Sequence, residues 1–157
     1  MPTIVERGRT VELLRGEFGE IAGFCRGLGP GDWATPTCLP GWSVHDTLAH
    51  MVGTESALAG GEVPSADISH LEHPKNPVAE VNEAWVESMR PWSDAQLLDR
   101  FEAVTKERLS ALDAMSQADF DAPSWTPVGK DETYGRFMRI RHFDCFMHEQ
   151  DMRLAVG

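Results

Sequence analysis

The sequence lacks any pair of cysteines at metal or redox spacing. Cys25, Cys38 and Cys145 are far apart and odd in number, so neither a disulfide framework nor a thiolate zinc site is indicated. They read as free thiols in a reducing compartment. No apolar run approaches the length needed to cross a bilayer. Nor does the N-terminus carry a secretory apolar region, because Glu6, Arg7, Arg9 and Glu12 interrupt Met1 to Leu14. These absences predict a soluble cytoplasmic protein with no membrane partner. Positive charge is scarce: 14 Lys and Arg stand against 25 Asp and Glu, a net charge of −11. That balance argues against a phosphate footprint and an anionic membrane surface, so no nucleic-acid partner is expected, and it says little about a small-molecule substrate. Alternating strand patterns and internal repeats are also missing. The 157 residues suffice for a single domain, 1–157, with a real core.

What remains is helical. Ile4 to Leu28 carries Val11, Leu14, Phe18, Ile21 and Cys25 at helical intervals and ends in a glycine-rich stretch. Asp32 to Trp42 reads as a loop. Ser43 opens a second helix through a capping box with Asp46, and Val44, Leu48, Met51, Glu55 and Leu58 form one stripe on it. His50 lies beside that stripe, with Thr47 and Thr54 near it. Glu62 to Asn76 is a polar crossover loop, and its His70 and His73 read as solvated. Pro77 to Arg90 is a shorter helix. Ser93 and Gln96 form a capping box that starts a long helix through Met115. Gln117 to Glu132 reads as a second long loop, and a last helix follows Thr133. The fold class is therefore all-α: a four-helix bundle with an extra short helix and long crossover loops. The two long loops are expected to wall a pocket at one end.

The last helix places Tyr134, Phe137, Met138, Arg141, Asp144, Cys145, His148, Met152 and Ala155 on one side. Inward charges are costly unless paired or bound to a metal. Asp144 and His148 are one turn apart, so both can reach one ion. A buried Asp–His hydrogen bond or an Arg141–Asp144 ion pair explains the pattern equally well. Ile140, Phe143, Phe146 and Met147 point elsewhere, which predicts a second layer over this helix. That layer would be the Gln117–Glu132 segment, a second copy in a homodimer, or a missing C-terminal domain.

Leu39-Pro-Gly-Trp-Ser43, then Leu48-Ala-His50, and Asp144-Cys-Phe-Met-His148-Glu-Gln-Asp151-Met-Arg153 resemble the DinB-like (YfiT-like) four-helix metalloprotein superfamily. The closer likeness is to the mycothiol-dependent maleylpyruvate isomerase N-terminal domain family. The resemblance implies a divalent-metal triad of His50, Asp144 and His148, with Asp144 standing where that branch has Glu. Zinc comes first, with nickel, iron or manganese as alternatives. It also implies a low-molecular-weight thiol cofactor such as mycothiol, and a C-terminal domain in relatives with isomerase activity.

Three ligands without a fourth suit an open, catalytic metal site. Arg141 would orient the carboxylate or hold an anionic substrate. Asp151 would fix the His148 imidazole, although solvation is the preferred reading for it. The expected function is a metal-dependent thiol transferase or isomerase acting on a small electrophile. The alternatives are a metal-hydroxide hydrolase and a non-catalytic bundle that binds a small molecule or a protein.

Overall fold

The computed structural model describes residues 1–157. Seven helices and one hairpin follow in the order α1 (Arg7–Arg26), α2 (Pro30–Trp33), α3 (Val44–Leu58), α4 (Pro77–Met89), α5 (Asp94–Ala114), α6 (Gln117–Asp121), β1 (Pro123–Thr126), β2 (Gly129–Thr133) and α7 (Tyr134–Val156). No helix is long and apolar enough to cross a membrane.

Local chemistry sets the helix ends. The Ser43 hydroxyl caps Asp46 N while Asp46 returns a bond to Ser43 N, and Ser93 and Gln96 do the same for α5. Asn76 caps α4 ahead of Pro77, and Thr133 caps α7. The first helix starts three residues later than its apolar spacing suggests. Glu6 acts as its cap, accepting from Gly8 N and Arg9 N, and so holds Ile4 outside.

The four long helices close a ring in which α3 packs on α5, α5 on α1, α1 on α7 and α7 back on α3. Helix α4 lies against α3 outside that ring. The core runs through Leu14, Ile21, Leu48, Met51, Leu97, Phe101, Leu112, Met138 and Met152, all fully buried. Burying each of the larger of these side chains is worth about 1.5–3 kcal/mol. Phe18 and Phe101 meet edge to face across the α1–α5 seam.

Two segments differ from the sequence reading. Within the expected Asp32–Trp42 loop, α2 ends at Trp33, where Asp32 bonds back to Gly29 N. The expected loop Gln117–Glu132 is instead α6 and an antiparallel hairpin. Its register pairs Pro123 with Thr133 and Thr126 with Gly129, and it is irregular between Ser124 and Thr126. Strands this short, with Pro123 and Pro127 nearby, leave too few residues to show an alternation. Tertiary bonds hold the hairpin: Thr133 Oγ1 donates to Thr3 O at 2.6 Å, and Glu132 accepts from Thr3 N at 2.8 Å. Trp125 packs edge-on against Phe137 near the start of α7. The hairpin therefore does not cover the outer face of α7. Phe143, Phe146 and Met147 stay exposed, at 62%, 43% and 42%.

Candidate metal centre

Asp144 and His148 stand one turn apart on α7, and His50 faces them from α3. Asp144 Oδ1 lies 3.4 Å from His148 Nε2, and Asp144 Oδ2 lies 3.7 Å from His50 Nε2. The two imidazoles are nearly perpendicular, with centroids 4.9 Å apart. One donor atom from each residue falls within 4.8 Å of the others, and no fourth His, Cys, Asp or Glu joins them. Tetrahedral ligands at about 2.0–2.1 Å from an ion are separated by about 3.4 Å. The two carboxylate–imidazole separations, 3.4 and 3.7 Å, are close to that value, one from each oxygen of Asp144. Two imidazoles and a carboxylate suit zinc, nickel, iron or manganese.

The surroundings set the charge state of each donor. Burial pushes the His50 pKa down despite the Asp144 carboxylate beside it, which keeps the imidazole neutral and its lone pair free. Burial opposes ionisation of Asp144. The neighbouring His148 and His50 imidazoles and the Arg141 charge outweigh it, and they hold the carboxyl well below the usual range. His148 Nδ1 lies 3.3 Å from Asp151 Oδ2. A carboxylate behind a ligating histidine fixes its tautomer and ring orientation. Asp151 is thus half-buried against His148 rather than solvated, and it also accepts from Cys38 Sγ at 3.2 Å.

Beneath the three residues lies a buried ionic network. Arg141 donates through Nη1 to Asp144 Oδ2, and through Nε and Nη2 to Glu55 Oε1 at 3.2 and 3.0 Å. Glu55 Oε2 accepts from Arg108 Nε at 3.2 Å, and Arg108 Nη2 reaches the Tyr134 hydroxyl. Glu55, Arg108 and Arg141 are each at least 95% buried. Carboxylates engage the Arg141 guanidinium on two edges, so its place is to orient Asp144 rather than to meet an anionic substrate. Thr47 and Thr54 also turn inward on their own helix: their hydroxyls donate to Ser43 O and His50 O.

Trp42 roofs the histidines. Its ring centroid is 5.1 Å from that of His50 and 6.3 Å from that of His148. The turn Leu39-Pro40-Gly41-Trp42 puts it there: Trp42 N bonds to Leu39 O, and Gly41 takes φ +76°, which a side chain would resist. Trp42 Nε1 then donates to Glu83 Oε1 at 2.6 Å, an oxygen that also meets His73 Nε2 at 2.5 Å. His73 is therefore part of the surroundings rather than solvated, and through it the Glu62–Asn76 segment is tied to the roof. The other long segment takes no part, because α7 separates Tyr134 from Asp144 by ten residues, about 15 Å. Solvent reaches the centre past Asp144, whose side chain is 37% exposed against 7% for His50 and 13% for His148.

In the sequence Glu55 reads as part of the α3 stripe, His73 as solvated and Trp42 as a packing residue of the Pro-Gly-Trp motif, and nothing there singles out Arg108 or Glu83 for the site. Glu55 carried a signal, being a carboxylate on the otherwise apolar stripe of α3. The remaining four are recruited by contacts distant in sequence.

The search of curated proteins finds no match. Two solved structures share the fold. The colibactin self-resistance protein ClbS, solved in complex with a dsDNA, is 11% identical with a TM-score of 0.69, over 95% of this chain and 94% of that one. The Sibling Lethal Factor Precursor, DfsB, is 13% identical with a TM-score of 0.69, over 97% and 95%. The ClbS complex corrects the expectation that nucleic acid is excluded as a partner. Net charge is a sum over the whole chain, whereas phosphate contacts are made by a local arrangement of donors and cations. The model of the mycothiol maleylpyruvate isomerase N-terminal domain matches residues 14–153, so the chain belongs to that family of mycothiol-related, isomerase- or transferase-like domains.

Proposed function

We propose that residues 1–157 form one metal-binding bundle domain. It acts as a thiol transferase or isomerase on a small electrophilic substrate, with a low-molecular-weight thiol of the mycothiol type as cofactor. The observation that carries this reading is the convergence of His50, Asp144 and His148, one donor atom of each within 4.8 Å of the others, with no fourth His, Cys, Asp or Glu among them. A divalent ion held there, zinc by preference, supplies the charge that keeps a cofactor thiol deprotonated at neutral pH. The chain's own residues prepare the place. Burial keeps His50 neutral, Arg141 holds the Asp144 carboxylate, Asp151 aims His148, and Trp42 excludes water from one side. Free cysteines fit a reducing, cytoplasmic setting.

The test combines elemental analysis of protein purified without added metal with turnover of a chromogenic electrophile, with and without thiol and chelator. One bound divalent ion, and turnover requiring both ion and thiol, is the expected result. Turnover with the ion but without thiol would make the protein a hydrolase. Absence of metal and of turnover would leave a non-catalytic binding bundle.

The duplex in the ClbS structure supports a second reading, a DNA-associated role. Titration of labelled duplex at two salt concentrations decides it, since binding through phosphates weakens steeply with salt.

A further inference from the structure

Between α3 and α4 the chain runs from Ala59 to Asn76 without a helix or strand. Connections longer than about 12–15 residues are uncommon in a compact domain, and ordered ones usually serve as lids or binding loops. No residue from Glu62 to Lys75 is fully buried. The hydrogen bonds of this stretch stay almost wholly inside it: Leu71 N to Ile68 O, Ser69 N to Asp67 Oδ1 and Lys75 Nζ to Glu72 O. A single one leaves it, from His73 Nε2 to Glu83 Oε1 at 2.5 Å. Few buried contacts and one polar tie place such a segment at the low end of local stability.

The oxygen that ties the segment also holds the roof of the metal centre. Glu83 Oε1 accepts from Trp42 Nε1 at 2.6 Å, the one hydrogen bond of the Trp42 side chain. The Trp42 backbone is held separately, because its carbonyl accepts from Thr37 N and Thr37 Oγ1, both at 2.9 Å. What can move is therefore the side chain and not the turn. The His73 ring rests on that turn, where a Cβ at Gly41 would stand 3.2 Å from His73 Cε1. Glu83 is buried, its Oε2 has no partner, and no Arg or Lys pairs with it. A buried carboxylate with so few donors is costly. Without His73 it would keep one donor, and turning toward water becomes the favourable way to regain others. Trp42 then loses its acceptor.

We propose that Glu62–Lys75 is a strap latched over the metal centre by His73. Glu83 is the positioning residue through which opening the strap frees the Trp42 ring from His50 and His148. His50 is the most buried of the three candidate ligands, and lifting the ring opens the centre on its side. A reaction between a thiol and an electrophile brings two molecules to one ion, so the strap gives the centre a second entrance beside the one past Asp144. That use rests on the function proposed above, whereas the coupling of strap, Glu83 and roof does not.

The test compares wild type, His73→Ala and His73→Gln as chelator-treated full chain, with three readouts. Trypsin cleavage after Lys75, the segment's own trypsin site, reports the strap. Exchange of the Trp42 indole N–H with water reports the roof, its 15N resonance assigned by its loss in Trp42→Phe. Acylation of His50 by diethyl pyrocarbonate, located by mass spectrometry, reports the centre. In His73→Ala all three rates are expected to rise together, by roughly tenfold or more, the loss of one hydrogen bond to a charged group. His73→Gln keeps an N–H donor at similar reach and should return all three toward wild type. Glu83→Leu removes the shared acceptor and should act as His73→Ala does; should it not fold, the His73 variants decide alone. Unchanged cleavage in His73→Ala would overturn the latch. Faster cleavage with Trp42 and His50 unmoved would overturn the coupling. Because no readout needs metal or turnover, a protein that binds no ion would count against the function proposed above and leave the strap to be judged on these rates.

Discussion

Glu55 Oε1 accepts two hydrogen bonds from Arg141, one from Nε at 3.2 Å and one from Nη2 at 3.0 Å. Both side chains are about 95% buried or more, and Glu55 Oε2 takes Arg108 as well. Glu55, and not Asp144 alone, therefore balances the inward cation of α7. Removing it leaves the buried Arg108 without a carboxylate and Arg141 with Asp144 alone. Glu55→Ala is expected to lose about 3–5 kcal/mol of stability in urea melts, with or without metal. Asp144→Ala leaves Arg141 its Glu55 partner, so with chelator present its loss should be no more than about 1–2 kcal/mol. Equal losses for the two variants in chelator would return Asp144 to the role of principal counter-charge.

His148→Ala removes one of the two nitrogen donors of the proposed metal centre and is expected to abolish binding of a divalent ion. In wild-type protein an ion at about 1,000 times its dissociation constant adds about 4 kcal/mol, and the variant should show none of that increment. Thermal melts with zinc and with chelator measure it. A variant that still gains stability from zinc would remove His148 from the ligand set.

The thiols should react unequally. Burial pushes both Cys25 and Cys145 up to about 12, whereas Cys38 is exposed and its pKa is raised by its hydrogen bond to Asp151. A thiol-reactive chromophore is expected to titrate one cysteine in the folded protein and all three in denaturant. Its rate at Cys38 should rise with pH later than for a free thiol, and Asp151→Asn should bring it earlier. Two fast thiols in the native protein would contradict the burial of Cys25 or Cys145.

Glu17 makes stability depend on pH. Burial, then the hydrogen bond and charge of Glu149, push its carboxyl from 4.5 up to about 7, and its Oε1 has no partner. The folded state holds this proton more tightly than the unfolded chain does. The associated stability is present below about pH 4.5 and is lost as pH rises through about 7. Glu17→Gln should flatten that fall and leave the variant more stable than wild type at pH 8, on the order of 2 kcal/mol. Denaturant melts at pH 5 and pH 8 give the comparison, and parallel curves for the two proteins would refute it.

The sequence by itself determined what short-range chemistry decides. The Ser43–Asp46 and Ser93–Gln96 caps close within one helical turn, so residue spacing alone located the starts of α3 and α5. The inward face of α7 follows from 100° per residue, and it put Arg141, Asp144 and His148 on one side before any partner was known. The resemblance added His50, which periodicity left beside its stripe. Tertiary structure decided everything that depends on which helix meets which. The partner of Arg141 lies 86 residues away on α3, Trp42 finds Glu83 41 residues on, and the hairpin after α6 is held by Thr3 from the other end of the chain. Asp151 and Glu149 lie two residues apart on α7, within one turn but on nearly opposite faces, and carry the same charge type. One ends beside a histidine and a thiol, the other beside a second carboxylate, because α1 and the Cys38 loop close over different edges of that helix. Local pattern carries no information about such closures, since each depends on the free energy of packing the whole ring rather than on any one residue's spacing.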